Sequence, residues 1–530
     1  MSPTFLIAAS VLVTSSCGLS AMAADPFRAA ALAPPDVRLF VHIDGAAALR
    51  TQLQDRPIAS WLGAWLAEGE LPGAWHRLSQ AVGMDDAALF DACLGRELTV
   101  LSRPGASRAE WVVLTGMEPS RSAALLGKLS PVVLAPRGNV SVFHLVGQGL
   151  LLARAEGQVL IAPDDHQELF QAVLANLAAL PAHSLAQHEG IKQGMDLGPG
   201  RVGVFVRHEL PLGGWSVGVA DLRDDTVSLR HASRFSNAPF RSRITELSWN
   251  PAPLRWLEGT GFLGVIEPTD TAGGPFDAFV ATLLGEPLIT SALGANLGPR
   301  RITLVSDVEG RVEVPPFDLL LPTILRAYEV NDAELARTQL DRNMLRLLAA
   351  LNRLGEGNFH LEVPDPDDLD PRGARSVPIG PMARWLFGDV PGIDGVSLNW
   401  TVVESASGDG GRWCVLASHP GHLDAVAEAL RASPRVNVLL EHSAQPGRWT
   451  NCGVADGKRL AQHLAGWSAH AEALAAPQDV QAMRETLNLL RELAQGVDRC
   501  DWQLSRPSAD RVRTEAEILL SPPDSAGTVE

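Results

Sequence analysis

The sequence lacks the short motifs that announce a common chemistry. It has no G-x-x-x-x-G-K-S/T loop, no H-E-x-x-H and no G-x-S-x-G. That removes the phosphate-cradling loop, the zinc-peptidase helix and the hydrolase nucleophile elbow as readings. Cysteine is sparse, 5 in 530 residues, and no C-x-x-C pair occurs. A zinc ribbon or thioredoxin-like redox site therefore has no support. Past the N-terminal stretch, no apolar run approaches the roughly 20 residues a membrane-spanning helix needs. Positive charge is also in deficit: 44 Lys and Arg face 61 Asp and Glu, a net charge of -17. A surface of that sign argues against nucleic acid or anionic membrane as partners, and solubility alone accounts for it.

What is present is ordinary globular composition, 46% hydrophobic and 20% charged. At about 150 residues per domain, the length suits roughly two to four domains. The chain opens with an apolar run, Phe5 to Val13, followed by Ala21-Met22-Ala23. This is the form of a secretory signal cleaved after Ala23, although no Lys or Arg precedes the run. Cys17 in Thr14-Ser15-Ser16-Cys17 only loosely matches a lipoprotein signal, because the apolar residue three positions before it is missing. The expectation is an exported protein of the periplasm or cell surface, without a lipid anchor. Export leaves Cys93, Cys414, Cys452 and Cys500. Three lie in the last quarter, so Cys452–Cys500 is the disulfide to test first, with buried free thiols as the alternative.

Strand-like alternation appears first at Val37 to Asp44, and Asp44-Gly45 closes it ahead of a helix. Helical stretches then carry Trp61, Trp65 and Trp75 on apolar faces, where core packing is a better account than a carbohydrate platform. Two patterns recur. Leu94-Gly95-Arg96-Glu97-Leu98-Thr99 and Leu297-Gly298-Pro299-Arg300-Arg301-Ile302-Thr303 each read as a Leu-Gly helix stop feeding a strand. Val159-Leu160-Ile161-Ala162 before a helix matches Cys414-Val415-Leu416-Ala417 before another. Both halves also close on a hairpin: Trp215–Leu222 with Val227–Phe235, and Asp501–Leu504 with Val512–Leu520. A long helix is expected from Asp332 to Leu354, with Leu335, Leu345, Leu348 and Leu351 on its buried side.

These correspondences predict an α+β fold of two related halves, each with short antiparallel β-sheets and helices packed on one face. The expected division is a signal at 1–23, a lead-in at 24–36, modules at 37–249 and 250–520, and a disordered tail at 521–530. Pro34-Pro35-Asp36, the strand to Asp44 and the helix around Leu49 and Leu53 resemble the exported bacterial domain of unknown function 3352 family. The Leu94-Gly95 unit and the strand-helix from Gln158 to Leu177 fit the same pattern. The likeness covers roughly residues 34 to 240. It implies export and an α+β repeat, and the family supplies no catalytic residues to carry over.

Candidate sites are few. Asp365, Asp367, Asp368 and Asp370 offer carboxylates at alternate spacing on a proline-broken loop, a candidate calcium site. The alternative is a solvated acidic loop. His42 and Asp44 lie two apart on one strand face and could form an acid–base pair; a polar strand edge and helix cap is the other reading. Gly198-Pro199-Gly200-Arg201-Val202-Gly203 matches G-x-G-x-x-G but precedes a strand and opens no helix, so it reads as a turn. The functional expectation is a non-enzymatic binding or structural protein of the cell envelope with a protein or glycan partner. The alternatives are an envelope hydrolase with a cleft between the halves and a calcium-stabilised surface protein.

Overall fold

The computed structural model describes residues 25–53, 70–104, 109–179, 181, 183–208, 213–223, 225–236, 247–248, 261–269, 293–306, 313–314, 319–320, 323–364, 374–387, 397–404, 411–417, 423, 448–469, 480–508 and 510–521. Two compact units divide the chain: Met1–Ile244 with Arg506–Glu530, and Thr245–Ser505.

In the first unit the strands are β1 (Leu39–Asp44), β2 (Glu97–Pro104), β3 (Ala109–Gly116), β4 (Val132–Arg137), β5 (Val140–Leu145), β6 (Leu150–Ala155), β7 (Gln158–Pro163), β8 (Val202–Arg207), β9 (Trp215–Arg223) and β10 (Thr226–Arg234). The helices are α1 (Ala46–Leu53), α2 (Glu70–Val82), α3 (Asp86–Cys93), α4 (Pro119–Leu129), α5 (Gln167–Ala178) and α6 (Glu189–Asp196). Local chemistry sets their ends. Asp85 caps α3 by accepting the Ala88 N–H at 2.7 Å, and Pro119 opens α4. Every pairing is antiparallel, in the order β4-β5-β6-β7-β3-β2-β1-β8-β9-β10.

The sheet is buried on both faces. Val112 and Leu114 of β3 pack with Leu160, with Phe170 and Val173 of α5, and with Ile191 of α6. Val113, one residue over, points the other way and packs with Leu78 and Val82 of α2, Leu89 of α3 and Leu126 of α4. Helices therefore cover both faces, not one as expected. The physical reason was in the sequence. Leu150–Ala153 and Val159–Ala162 are unbroken apolar runs, buried at every position, which is what a strand covered on both sides requires.

The second unit contains β11 (Gly261–Pro268), β12 (Leu297–Ser306), β13 (Thr323–Val330), β14 (Arg375–Pro378), β15 (Ser397–Glu404), β16 (Arg412–Ala417), β17 (Asn451–Asp456) and β18 (Val497–Ser508), whose residues from Arg506 on count with the first unit. Its helices are α7 (Ala333–Leu354), α8 (Gly380–Phe387), α9 (Gly457–Ala469) and α10 (Val480–Gln495). The order is β14-β15-β16-β13-β12-β11-β17-β18, again antiparallel. In chain position this repeats β5-β6-β7-β3-β2-β1-β8-β9. On one face Cys414 and Leu416 meet α7; on the other Trp413, Val415 and Ala417 meet Ile266, Ile302 and Leu304. The buried stripe of α7 is Ala336, Leu340, Met344, Leu347, Leu348 and Leu351. Leu335, expected on that side, is exposed, because Ala336 and Met344 set the period and not leucine alone.

The final strand, β19 (Arg511–Leu520), follows β18 as the closing-hairpin pattern suggested. It pairs with β10 from Thr226↔Leu519 to Arg234↔Arg511 and so counts with the first unit. In each unit the strands form one continuous antiparallel ladder, β4 to β19 in the first and β14 to β18 in the second, which replaces the several short sheets expected in each half. Pairing with β19 covers the edge of β10 that the β9–β10 hairpin would otherwise leave open.

Candidate functional site

A polar cluster of the first unit forms where β1 lies between β2 and β8. Register sets His42 opposite Thr99 on one side and Gly203 on the other, and Asp44 opposite Glu97. Two carboxylates directly across a ladder repel. Arg28, on the short helix Arg28–Ala31 just after Pro26 and Phe27, answers both: its Nη2 donates to Asp44 Oδ1 at 2.9 Å and to Glu97 Oε2. Phe27 beside it is buried, with its ring 6.0 Å from that of Phe40. The approach is close. A methyl group at Gly203 would collide with the Pro26 carbonyl oxygen, so only glycine fits under this segment.

His42 is fully buried, and its Nδ1 lies 2.7 Å from the Thr99 hydroxyl oxygen. Its Nε2 has no hydrogen-bond partner. Burial first, and the Arg28 charge second, push its pKa down to about 4, against the opposing pull of Glu97, Asp44 and Asp25. The imidazole is therefore neutral at pH 7. The acid–base pairing of His42 with Asp44 is not formed: the histidine bonds to Thr99 and the carboxylate to Arg28.

The same slots of the second unit hold different chemistry. Thr303 on β12 faces Val265 of β11, and Val265 also faces Gly453 of β17. Valine thus stands where His42 stands. Glu267 faces Arg301, which donates through Nη2 to Glu267 Oε1 at 2.7 Å. The neutralising cation is in the strand itself. Gly453 is covered by the Trp502 ring, which lies where a methyl would sit, with the Gly264 carbonyl oxygen 2.7 Å from that point.

A second polar group runs from His208, just past β8, across β9 and β10. His208 Nε2 is 2.6 Å from Ser216 Oγ, Ser216 Oγ bonds to Ser233 Oγ, and Ser233 Oγ is 2.8 Å from His231 Nε2. The tight turn after Arg223 places Ser216 directly opposite Ser233. Counting back from that turn in the sequence finds this pair; no local pattern marks the histidines at its ends. His231 is pushed down to about 4 by burial and then by His208; His208 is lowered by burial and then by Arg38. Each hydroxyl donates one proton and accepts another, so the four residues form a chain of hydrogen bonds between two neutral imidazoles. A histidine bonded to a serine is the arrangement of a base and a nucleophile. Ser216 and Ser233 are buried, however, which leaves a substrate little access.

The remaining candidates from the sequence fare differently. Asp365, Asp367, Asp368 and Asp370 lie outside the described residues, as do Trp61 and Trp65. Among the described residues no group of three or more His, Cys, Asp or Glu is placed to hold a metal ion. Cys452 and Cys500 are free thiols. In the β17–β18 ladder Cys452 faces Gln503 while Cys500 faces Ala455. Three residues of strand, about 10 Å, separate them, beyond the reach of a disulfide. Burial pushes the Cys500 thiol up to about 12 and raises Cys452 further. Gly198 takes a φ of 93° and the glycine stretch runs into β8, as a turn should. No described helix is long and apolar enough to cross a membrane.

No family model and no curated protein matches the chain. Among solved structures, crystal form I of TP0453 is similar over 40% of this chain and 80% of its own, at 10% identity and a TM-score of 0.26. A likeness of that size carries no argument about fold or function.

Proposed function

We propose that the chain is an exported, non-enzymatic binding or structural protein of the cell envelope, built from two copies of one α+β module and related to the domain of unknown function 3352 family. The observation that carries the reading is the repeated strand order, β5-β6-β7-β3-β2-β1-β8-β9 against β14-β15-β16-β13-β12-β11-β17-β18. Into this scaffold the groups able to do chemistry are absorbed: His42 by Thr99, Asp44 and Glu97 by Arg28, the two serines by each other. Thermal melting of the chain from Ala24 onward, against divalent metals, envelope glycans and peptidoglycan fragments, tests it. A ligand at a hundred times its Kd adds about 2.7 kcal/mol. That raises the Tm of a unit of 150–250 residues by roughly 5–11 °C. Turnover of any envelope substrate by the pure chain would sink the non-enzymatic reading.

The 2.6 Å contact of His208 with Ser216 favours a second reading, an envelope hydrolase. A fluorophosphonate probe decides between the two. Labelling that disappears in Ser216→Ala would replace binding by hydrolysis; an unlabelled wild type leaves the serines as part of the scaffold.

A further inference from the structure

We propose that the segment Asp25–Val37 is an acid-released strap: when His42 takes up a proton, the segment lifts from the sheet of the first unit while the sheet itself stays folded.

The strap crosses the sheet at the His42 rung. The Pro26 carbonyl oxygen lies where a methyl on Gly203 would sit, and Gly203 is the ladder partner of His42. On the side of α6, Gly194 makes room for the Phe27 ring in the same way. Phe27, Ala30, Ala33 and Val37 are fully buried. The cover is close, yet it is no part of the ladder, because no residue of Asp25–Val37 lies in a strand. Besides apolar burial, three carbonyl oxygens hold it: Leu32 O accepts from Asn176 Nδ2 at 2.9 Å, Ala33 O from the Leu185 N–H at 2.9 Å, and Pro35 O from Arg207 Nη2 at 2.8 Å. Ion pairs fasten both ends, Arg28 to Asp44 and Glu97, and Asp36 to Arg103. All of these can be given up without breaking a strand pairing. The chain turns at Pro34, whose carbonyl accepts the Val37 N–H at 3.3 Å, so the strap has a hinge where it meets β1.

His42 is the trigger because of what surrounds it. Its Nδ1 is engaged by Thr99 and its Nε2 has no partner. Both nitrogens of an imidazolium are donors, so protonation would leave a buried N–H without an acceptor. The charges facing the ring are Arg28 and Asp25 from the strap, Asp44 from β1 and Glu97 from β2. From β8 comes Gly203, with Arg201 beyond it, whose carbonyl accepts the Asp44 N–H. Asp44 and Glu97 are already bound to Arg28. Burial and the Arg28 charge therefore prevail, and His42 sits at about 4 in the closed fold instead of its ordinary 6.5. Lifting the strap returns the ring to water, so the open form takes up the proton first as pH falls. The closed form is fully favoured above about pH 6.5 and loses ground down to about pH 4. At full exposure of the ring, a shift of that size makes opening easier at pH 4.5 than at pH 7.5 by a factor on the order of a hundred. The second unit has Val265 in this slot, which cannot titrate, and Trp502 over the matching glycine, Gly453.

Hydrogen exchange of the full chain between pH 7.5 and 4.5, corrected for the intrinsic pH dependence of exchange, tests this. The amides of Ala30, Leu32 and Ala33, which bond within the strap, should lose protection at least tenfold at pH 4.5. Those of β3 and β7, and those of Val265 and Gly453 in the second unit, should keep theirs. His42→Asn retains a group that can bond to Thr99 and does not titrate; it should abolish the loss. His42→Val, the residue of the second unit, serves if the asparagine variant is not folded at pH 7.5 by circular dichroism. Strap amides equally protected at both pH values overturn the proposal. So does a simultaneous loss across β3 and β7, which would be unfolding of the whole unit, or a loss that persists unchanged in a folded His42 variant.

Discussion

The two units solve one problem in two ways. Each has an acidic side chain at the end of the strand that opens its module, Asp44 in one and Glu267 in the other, facing the strand that follows the Leu-Gly stop. In the second unit the facing residue is Arg301, and the charge is cancelled within the ladder. In the first unit the facing residue is Glu97, which doubles the charge, and the cation comes from Arg28 on the N-terminal segment. The neighbouring slot differs in the same sense: buried, titratable His42 against Val265. So does the cover over the glycine that both units place beside that slot, Pro26 over Gly203 and Trp502 over Gly453. The second unit finishes this corner with its own strands. The first depends on a separate piece of chain and is the more sensitive to pH and salt.

That contrast can be broken most sharply at Arg301, which is buried together with much of Glu267. Arg301→Met should cost about 3–5 kcal/mol in urea-induced unfolding of the second unit, because it takes the guanidinium away from a carboxylate that is itself largely withdrawn from water. A loss under 1 kcal/mol would show that the strand does not need its own cation. The next effect is acid sensitivity. His42 ordinarily titrates near 6.5 and is held at about 4 in the fold, so the unfolded chain takes up the proton first as pH falls. The stabilisation is complete above about pH 6.5, is lost as pH falls towards 4, and amounts to about 3 kcal/mol. His231 adds a similar loss over the same range. His42→Val, which installs the second unit's residue, should remove the His42 part of the slope; an unchanged pH–stability curve would contradict the burial argument. Gly203→Ala should then cost about 1–3 kcal/mol by forcing Pro26 away. Arg28→Met should show the smallest effect, about 1 kcal/mol, since its carboxylate pairs are partly open to solvent and salt screens them. Raising the salt concentration should shrink the Arg28 effect and leave the Arg301 effect nearly intact.

Much of this was legible in the sequence. The alternation of Val37 to Asp44, the Leu-Gly stops and the strands at Val159–Ala162 and Cys414–Ala417 each fell at matching places in the two strand orders; the helix expected after Ala417 lies outside the described residues. The closing hairpin of the first half was legible because a tight turn fixes register on its own. Three things were not. Which strands neighbour one another depends on long-range pairing, such as β1 with β8, that no local pattern encodes. The covering of both faces was encoded in unbroken apolar runs, but those also fit a buried helix segment and needed a length argument to settle. The role of Arg28 was hidden because a lone arginine in an Ala/Pro-rich lead-in gives no hint of two acids waiting across β1 and β2. The histidine–serine chain was half legible: Ser216 and Ser233 follow from the turn, while His208 lies beyond the end of β8 and enters only in three dimensions.

The pairing of β10 with β19 also sets a schedule. Thr226 finds its partner, Leu519, almost at the end of the chain. A ribosome emitting roughly 5–20 residues per second delivers β10 well before β19 exists. Until then β10 has β9 on one side and an open row of amides on the other. The first unit is thus made first and finished last, with high contact order and slow final closure. Its nascent form must be protected from pairing with the wrong strand for as long as the remaining half of the protein takes to be made.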